Sequence, residues 1–459
     1  MFRSWMQRRG FLALGTIATS SLFAVVACDS TEERPAYEGD AGPDAGPEPN
    51  LPPSPTPETD GGGGPSFDAS PEPVDCEVSP CVVELAAGAN HVCARLSTGD
   101  VRCWGDDSYG AVGNGAPDKD KDKDKDDDGP VKPEREDTSR PVRVTEVSEV
   151  TQLSAAYRTT CARRADGAVL CWGGNEHGQL GLAASPGASD DLPHPYRHHV
   201  ELGAGASRVD VGQRSVCALL ASGELSCWGF NDRMQLARTD AERVLGPGAS
   251  DMAGFVVSRT AGSDTSGYGL TKDGGLLSWG ALAAREGSID PDPVPALVLT
   301  LSKVHDVAVG PTHGCAIADG SVYCWGSSQK YALCTGLPST ERLPAHAILQ
   351  TTAFPQQLAV SRNSTCVRLT NGTLQCCGEA TRGQLAVDPP DGGGSSVMAF
   401  TRAENFDGYA VQVVATDVST CALLRSGAVQ CWGGNEHGEL GQGTRDSDPH
   451  PVPATVSFQ

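Results

Sequence analysis

Positive charge is scarce in this chain: 35 lysines and arginines stand against 58 aspartates and glutamates in 459 residues, a formal net charge of −23. Nucleic acid is held mainly by cationic side chains that displace counterions, so a chain this acidic is not built for a phosphate backbone, and no nucleic-acid partner is expected. Beyond residue 28 no apolar run is long enough to cross a bilayer as a helix. Extended 3.6-residue periodicity is missing, which removes the helical bundles. Close Cys-x-x-Cys or Cys-x-x-His pairs, the usual spacing of zinc ligands, are missing too. So is any compact motif that joins a nucleophile to its base or sets out paired carboxylates. No catalytic residue and no cofactor is expected.

What the chain has is cysteine, 17 of them, in a repeating frame. Cys93 and Cys103, Cys161 and Cys171, Cys217 and Cys227, Cys366 and Cys376, and Cys421 and Cys431 are each ten apart, and most end in Cys-Trp-Gly. Cys315 and Cys324 form a nine-residue variant. A seventh copy ends in Ser278-Trp279-Gly280 and carries Tyr268 in place of its first cysteine, so both cysteines of that unit are lost together. Joint loss within one chain marks the two as a working pair. Seven copies at intervals near fifty residues indicate a repeat architecture.

The register of one copy explains the spacing. In Cys161-Ala-Arg-Arg-Ala-Asp-Gly-Ala-Val-Leu-Cys171, a three-residue loop with left-handed Gly167 pairs Arg164 with Ala168 and sets Cys161 opposite Cys171. The two then fall at a non-hydrogen-bonded pair, where Cα atoms approach to roughly 4.5 Å, within disulfide reach. Gly99, Gly223, Gly274, Gly372 and Gly427 hold the same place as Gly167. In the shorter copy Asp319-Gly320 reads as a two-residue type I′ turn that restores the facing pair. A small residue, such as Gly88, Gly212 or Gly310, stands five before each first cysteine and suits a tight turn in a crowded place. Of the cysteines left over, Cys76 and Cys81 are candidates for a short closed loop, and Cys334 and Cys377 for a bridge between neighbouring units.

Disulfides need an oxidising compartment, and the N-terminus offers a route there. Arg3, Arg8 and Arg9 precede a moderately apolar stretch, and Val25-Val26-Ala27-Cys28 resembles a bacterial lipobox, which implies lipid attachment at Cys28. Gln7-Arg8-Arg9-Gly10-Phe11-Leu12 also resembles a twin-arginine signal, and a general secretory lipoprotein signal fits equally. Residues 1–28 are therefore expected to be a signal peptide, 29–75 a disordered acidic Pro/Gly-rich tether, and 76–459 the folded unit. Location follows: exported and lipid-anchored in the cell envelope, with the membrane contacted through the anchor. Asp124, Asp126 and Asp128, followed by Gly129, open like a calcium loop, but Arg135 stands where the closing glutamate belongs, and a solvated loop is the better reading.

Seven hairpin-centred all-β units suggest radial repetition of small sheets, with proline-bearing outer strands such as Pro141-Val142 and Pro293-Val294-Pro295. Pro451 to Phe458 reads as an inner strand without its hairpin and is expected to complete the first sheet and close the ring. The stretches Cys171-Trp-Gly-Gly-Asn-Glu-His-Gly-Gln-Leu-Gly181 and Cys431-Trp-Gly-Gly-Asn-Glu-His-Gly-Glu-Leu-Gly441 resemble the repeat of the regulator of chromosome condensation family. That resemblance implies a seven-bladed β-propeller over residues 82–459. His177 and His437 sit at equivalent places in it, and their duplication argues for structural or surface roles. Its best-known activity, exchange of guanine nucleotide on a nuclear GTPase, finds no matching residues here. The expected function is non-catalytic: a cell-envelope scaffold engaging a protein or glycan partner through unequal loops on a rigid ring. The alternative, an envelope hydrolase assembled from propeller loops, would show an acidic or histidine cluster near the ring axis.

Overall fold

Each of the seven hairpins, six of them cysteine-paired, becomes the middle of a four-stranded antiparallel sheet, and the seven sheets make an all-β, seven-bladed propeller. The structure, a computed structural model, describes residues 72–458 apart from 116–136, 183–187, 241, 282–283, 286–289 and 389–394. The signal peptide, Cys28, most of the tether and Asp124, Asp126 and Asp128 lie outside the described residues.

Blade 2 shows why the sequence folds this way. Its strands Val150–Ala156, Thr159–Arg164, Val169–Asn175 and Asp190–His199 pair in chain order. Arg164 N–H donates to the Ala168 carbonyl at 2.9 Å, and Gly167, at φ 84°, closes the turn in a region that residues with a Cβ enter at a cost. Cys161 faces Cys171 with Cα atoms 4.1 Å apart. In the shorter copy Asp319 and Gly320 both have positive φ, 47° and 76°, as a type I′ turn requires, and Cys315 again faces Cys324.

The inner strands, from Val82–Ala87 in blade 1 to Ala410–Ala415 in blade 7, are followed by the tight turns at the small residues. Space there is short. A Cβ on Gly88 would sit 2.6 Å from the Tyr157 carbonyl oxygen of the next blade, and one on Gly310 would sit 2.5 Å from that of Ser361.

Neighbouring blades are joined by apolar packing and by several kinds of hydrogen bond. Fully buried Trp172 packs on Val101, Val112 and Val144 of blade 1, burial of such a ring being worth up to about 5 kcal/mol. Its indole N–H reaches back to the Ala111 carbonyl at 2.9 Å, and Trp104, Trp228, Trp279 and Trp432 make the same bond to Glu439, Gln179, Gln235 and Gln384. Around the axis, Gln152, Gln357 and Gln412 each use the side-chain amide twice, accepting from and donating to the backbone of Val209, Val413 and Leu85. Toward the tight turns, backbone bonds such as Ala89 N–H to the Tyr157 carbonyl at 2.7 Å complete the contact.

Ring closure departs from the sequence reading. Asp446–Thr455 is the outer strand of blade 7, with Cys431 opposite Ala454 and Gly433 opposite His450, so Pro451 to Phe458 does not enter the first sheet. Blade 1 already owns an inner strand, Val82–Ala87, paired to His91–Leu96. The ring is closed instead by contacts between blades 7 and 1: Gln412 on Leu85, the Trp104 indole on Glu439, Asp417 N–H on the Ala89 carbonyl at 2.7 Å, and an apolar cluster of Val82, Leu85, Val92, Val411, Leu423 and Leu440.

Residues 72–75, just before the expected boundary at residue 76, also contact the ring. Glu72 forms ion pairs with Arg368 at 2.8 Å and Arg425 at 2.6 Å and accepts from the Tyr409 hydroxyl at 2.9 Å. Asp75 N–H donates to the Arg425 carbonyl and Val82 N–H to that of Gly427. With the Cys76–Cys81 disulfide, this strap lies against blade 7 at the end of the axis where the inner strands begin. That end is called the strap face below, and the opposite end the turn face.

Candidate binding face and axial channel

The sequence-predicted cysteines meet as pairs. Cys93–Cys103, Cys161–Cys171, Cys217–Cys227, Cys315–Cys324, Cys366–Cys376 and Cys421–Cys431 each join the two middle strands of one blade. Cys334–Cys377 joins blade 5 to blade 6. In blade 4, Tyr268 faces Ser278 where the disulfide would be, and its hydroxyl takes the Trp325 indole N–H at 3.0 Å. These are framework groups, buried within the blades.

The turn face carries a different set. Arg158 lies with its guanidinium carbon 3.9 Å from the Tyr109 ring centre and 4.8 Å from that of Tyr157, and it is ion-paired with Glu176. Tyr157 meets His177 edge-on at 6.4 Å, and His177 meets Phe230 at 5.1 Å. Arg214 and Arg243 then stand 5.6 and 5.2 Å over the Phe230 ring. A continuous belt of alternating rings and guanidinium groups thus runs across blades 1, 2 and 3. Its inner end opens on a recess of about 170 Å³ that Asn90, Asp106, Arg362 and Asp417 complete. Arg362 and Asp417 pair at 2.9 Å, and burial raises the Asp417 carboxyl above its ordinary value despite that arginine. Burial likewise lowers His177, whose ring lies edge-on to Phe230.

His177 is therefore part of this belt, whereas His437, at the equivalent place in blade 7, is exposed and serves through its backbone, donating N–H to Glu439 at 2.8 Å. Tyr109, Tyr157, Arg158, Arg214 and Phe230 were not singled out by sequence reasoning. Comparing the seven copies at their turns sets Tyr157-Arg158 apart, since the same place holds Gln213-Arg214, Asp417-Val418 and other unlike pairs, whereas Tyr109 and Phe230 lie outside those turns.

The axis is more polar than a non-catalytic ring was expected to be. Glu84, Asp210, Asp306 and His305 all belong to inner strands. The physical reason is blade joining: Asp306 accepts from Leu358 N–H at 2.7 Å and Asp210 from Thr260 N–H at 2.8 Å. Arginines balance the charges, Arg95 on Glu84 at 2.7 Å, Arg208 on Asp210 at 2.8 Å and Arg259 on Asp306 at 2.7 Å. The Asp210 and Asp306 carboxylates of the axis are thus engaged in joining blades. Among the described residues no group of three or more His, Cys, Asp or Glu side chains is placed to hold a metal ion.

Family models described as the regulator of chromosome condensation (RCC1) repeat match residues 82–111, 150–179 and 410–439, and residues 166–219. The chain carries RCC1 repeats over these segments. It is similar to the ultraviolet-B receptor UVR8 of Arabidopsis thaliana, 26% identical over 377 residues that cover 79% of each chain. It is also similar to the human E3 ubiquitin-protein ligase HERC2, 27% identical over 238 residues, half of this chain but only 5% of that ligase. Among solved structures, Prp20p of Saccharomyces cerevisiae, described with binding to Gsp1p and histones, superposes with a TM-score of 0.64 at 18% identity, covering 78% of this chain and 86% of Prp20p. A complex of Kap60 with yeast RCC1 (Prp20) gives the same score at 17% identity, with 83% and 85% covered. At such identities the structures establish the RCC1 propeller fold, and with it a scaffold compatible with protein binding.

Proposed function

We propose that this RCC1-repeat propeller is a non-catalytic binding protein of the cell envelope, anchored by lipid at Cys28, whose turn face engages a protein partner. The belt from Tyr109 through Arg158 and Phe230 to Arg243 carries the proposal. Tyrosine, phenylalanine and arginine are the residue types enriched where proteins meet, and short stacks of rings and guanidinium groups lose little freedom when a partner orders them. A protein suits this surface better than a glycan, because the belt's rings are engaged by arginine and histidine neighbours rather than left open for a sugar to stack upon. Solved complexes of Prp20 with Kap60 give the fold a precedent for protein recognition.

The geometry also favours this face. The strap lies at the opposite end of the axis, so among the described residues it leaves the turn face uncovered. Photocrosslinking from positions 109 and 230 of the full chain on intact cells tests the reading. The expected result is a discrete protein adduct that disappears when Arg158→Ala is added. Adducts with lipid and abundant porins alone, or the same adducts from position 74 on the strap face, would remove it.

A further inference from the structure

We propose that the channel mouth on the strap face binds a small oxyanion, a carboxylate or a phosphate, on Arg208 and Arg259. Comparison of the seven blades singles out these two. The third residue of the inner strand is an acceptor in five blades, Glu84, Gln152, Asp306, Gln357 and Gln412, and each bonds to the backbone of the next blade. Blades 3 and 4 have arginine there, and a guanidinium cannot accept a hydrogen bond. In blade 3 the joining bond has moved two residues along, to Asp210, which accepts from the N–H of Thr260 at 2.8 Å and its hydroxyl at 3.2 Å. Arg208 is thereby released from holding the ring together.

Its donors are largely unspent. Arg208 gives Nε to the two oxygens of Asp210 at 2.8 and 3.0 Å, and among the described residues its Nη1 and Nη2 have no protein acceptor. Arg259 gives Nη2 to Asp306 and to the Val307 carbonyl, while its Nε is buried with no partner among the described residues. Both line one cavity of about 400 Å³, with side chains 37% and 28% exposed. Two guanidinium groups on adjacent inner strands would repel were it not for Asp210 and Asp306, which fix them while leaving, among the described residues, Nη1 and Nη2 of Arg208 and Nη1 of Arg259 without a protein acceptor. The Arg208 fork matches the paired oxygens of a carboxylate or phosphate, and Arg259 adds a second cation beside it.

The chain itself supplies a precedent at the same mouth. Glu72 of the strap places its carboxylate between Arg368 and Arg425 and lines the same cavity. The strap thus occupies one pair of arginines and leaves the pair on blades 3 and 4 open. The cavity has room for an oxyanion bearing a few carbons, and Val83, Val411 and Leu423 provide apolar wall for them.

Isothermal titration of the full chain with inorganic phosphate and with succinate, at constant ionic strength set with chloride, tests the proposal. Saturable 1:1 binding of at least one probe is expected, weakened tenfold or more in Arg208→Gln and in Arg259→Gln and unchanged in Arg158→Gln on the turn face. Binding of phosphate alone would assign a phosphate ligand, and of succinate alone a carboxylate; either supports the site. Arg208→Lys keeps a cation beside Asp210 and serves if the glutamine variant does not fold; it is expected to weaken binding at least threefold, since the fork is gone. No saturable heat from either probe, or binding unaltered in folded variants at both positions, would overturn it.

Discussion

Cys377 is bonded to Cys334 across a blade boundary, at the place where other blades donate an indole N–H to the blade before. Thr160, Thr365 and Thr420 establish the equivalence, since their hydroxyls bond the carbonyls of Ala111, Ala332 and Gln384. Trp172 and Trp432 share those carbonyls in blades 2 and 7. In blade 6, Cys377 replaces the tryptophan and lies against Ala332, and Cys334 takes the place held by Gly181 and Gly441. One covalent bond does the work of an indole.

Removing that bond should be costly. Cys334 and Cys377 are 43 residues apart, a loop for which the chain-entropy relation gives about 4 kcal/mol. Guanidinium unfolding of the Cys334→Ala/Cys377→Ala variant is expected to show a loss of that order. Cys334→Gly/Cys377→Trp should recover part of it by restoring the donor to Ala332. Equal stability of the double-alanine variant and the parent would refute a joining role.

Tyr268 is expected to be as important to blade 4 as a disulfide is to the others. Tyr268→Phe leaves the Trp325 indole without its acceptor in a buried place, a change worth about 1–3 kcal/mol in thermal or chemical unfolding. Burial pushes the Tyr268 hydroxyl up to about 12. The folded state therefore holds a proton that an unfolded tyrosine releases near pH 10, and stability should fall as pH rises from 10 to 12. The phenylalanine variant should lack this contribution.

At acid pH His91 and His313 contribute together with His198, which partial burial and His194 also lower to about 4. His91 and His313 occupy equivalent places, each with Nε2 2.8 Å from the hydroxyl of a threonine in the next blade, Thr160 and Thr365. Burial lowers both to about 4. Unfolded histidine binds its proton near pH 6.5, so stability is fully present above that value and lost as pH falls toward 4, by about 3 kcal/mol per histidine. Urea midpoints at pH 7.0 and 4.5 measure it. His313→Gln, which retains a side-chain donor, should remove about a third of the dependence carried by His91, His198 and His313.

The strap should respond to its own carboxylate. Partial burial raises Glu72, but its hydrogen bonds with Arg425, Tyr409 and Arg368 outweigh that and leave it below the ordinary range. Its contribution is present above about pH 4.5 and falls away below it. Glu72→Gln should speed amide exchange across residues 72–82 at neutral pH while leaving the turn face unchanged. Unaltered exchange in the strap would show that the Cys76–Cys81 loop holds it unaided.

The hairpin register was legible in the sequence because it rests on local facts: Gly167 fixes the turn, and the turn fixes which residues face. Cys161 and Cys171 follow by counting. Closure was not legible in the same way. Pro451 to Phe458 alternates like any outer or inner strand, and only the partners available to Gly433 and Cys431 decide which sheet receives it. The belt of Tyr109, Arg158 and Phe230 was hidden for another reason: its members come from three blades and meet only after the ring has formed. Arg208 and Arg259 left a visible trace, an arginine where sibling strands carry acceptors, whose meaning needed the position of Asp210.

Because no strand is exchanged between the first and last sheets, every blade is encoded by one uninterrupted segment. Duplication of such a segment would add a complete structural module, with its cysteine pair and its indole already in place. The chain ends need not change in concert for the circle to grow, and a circular permutation cut between any two sheets would leave all seven modules whole.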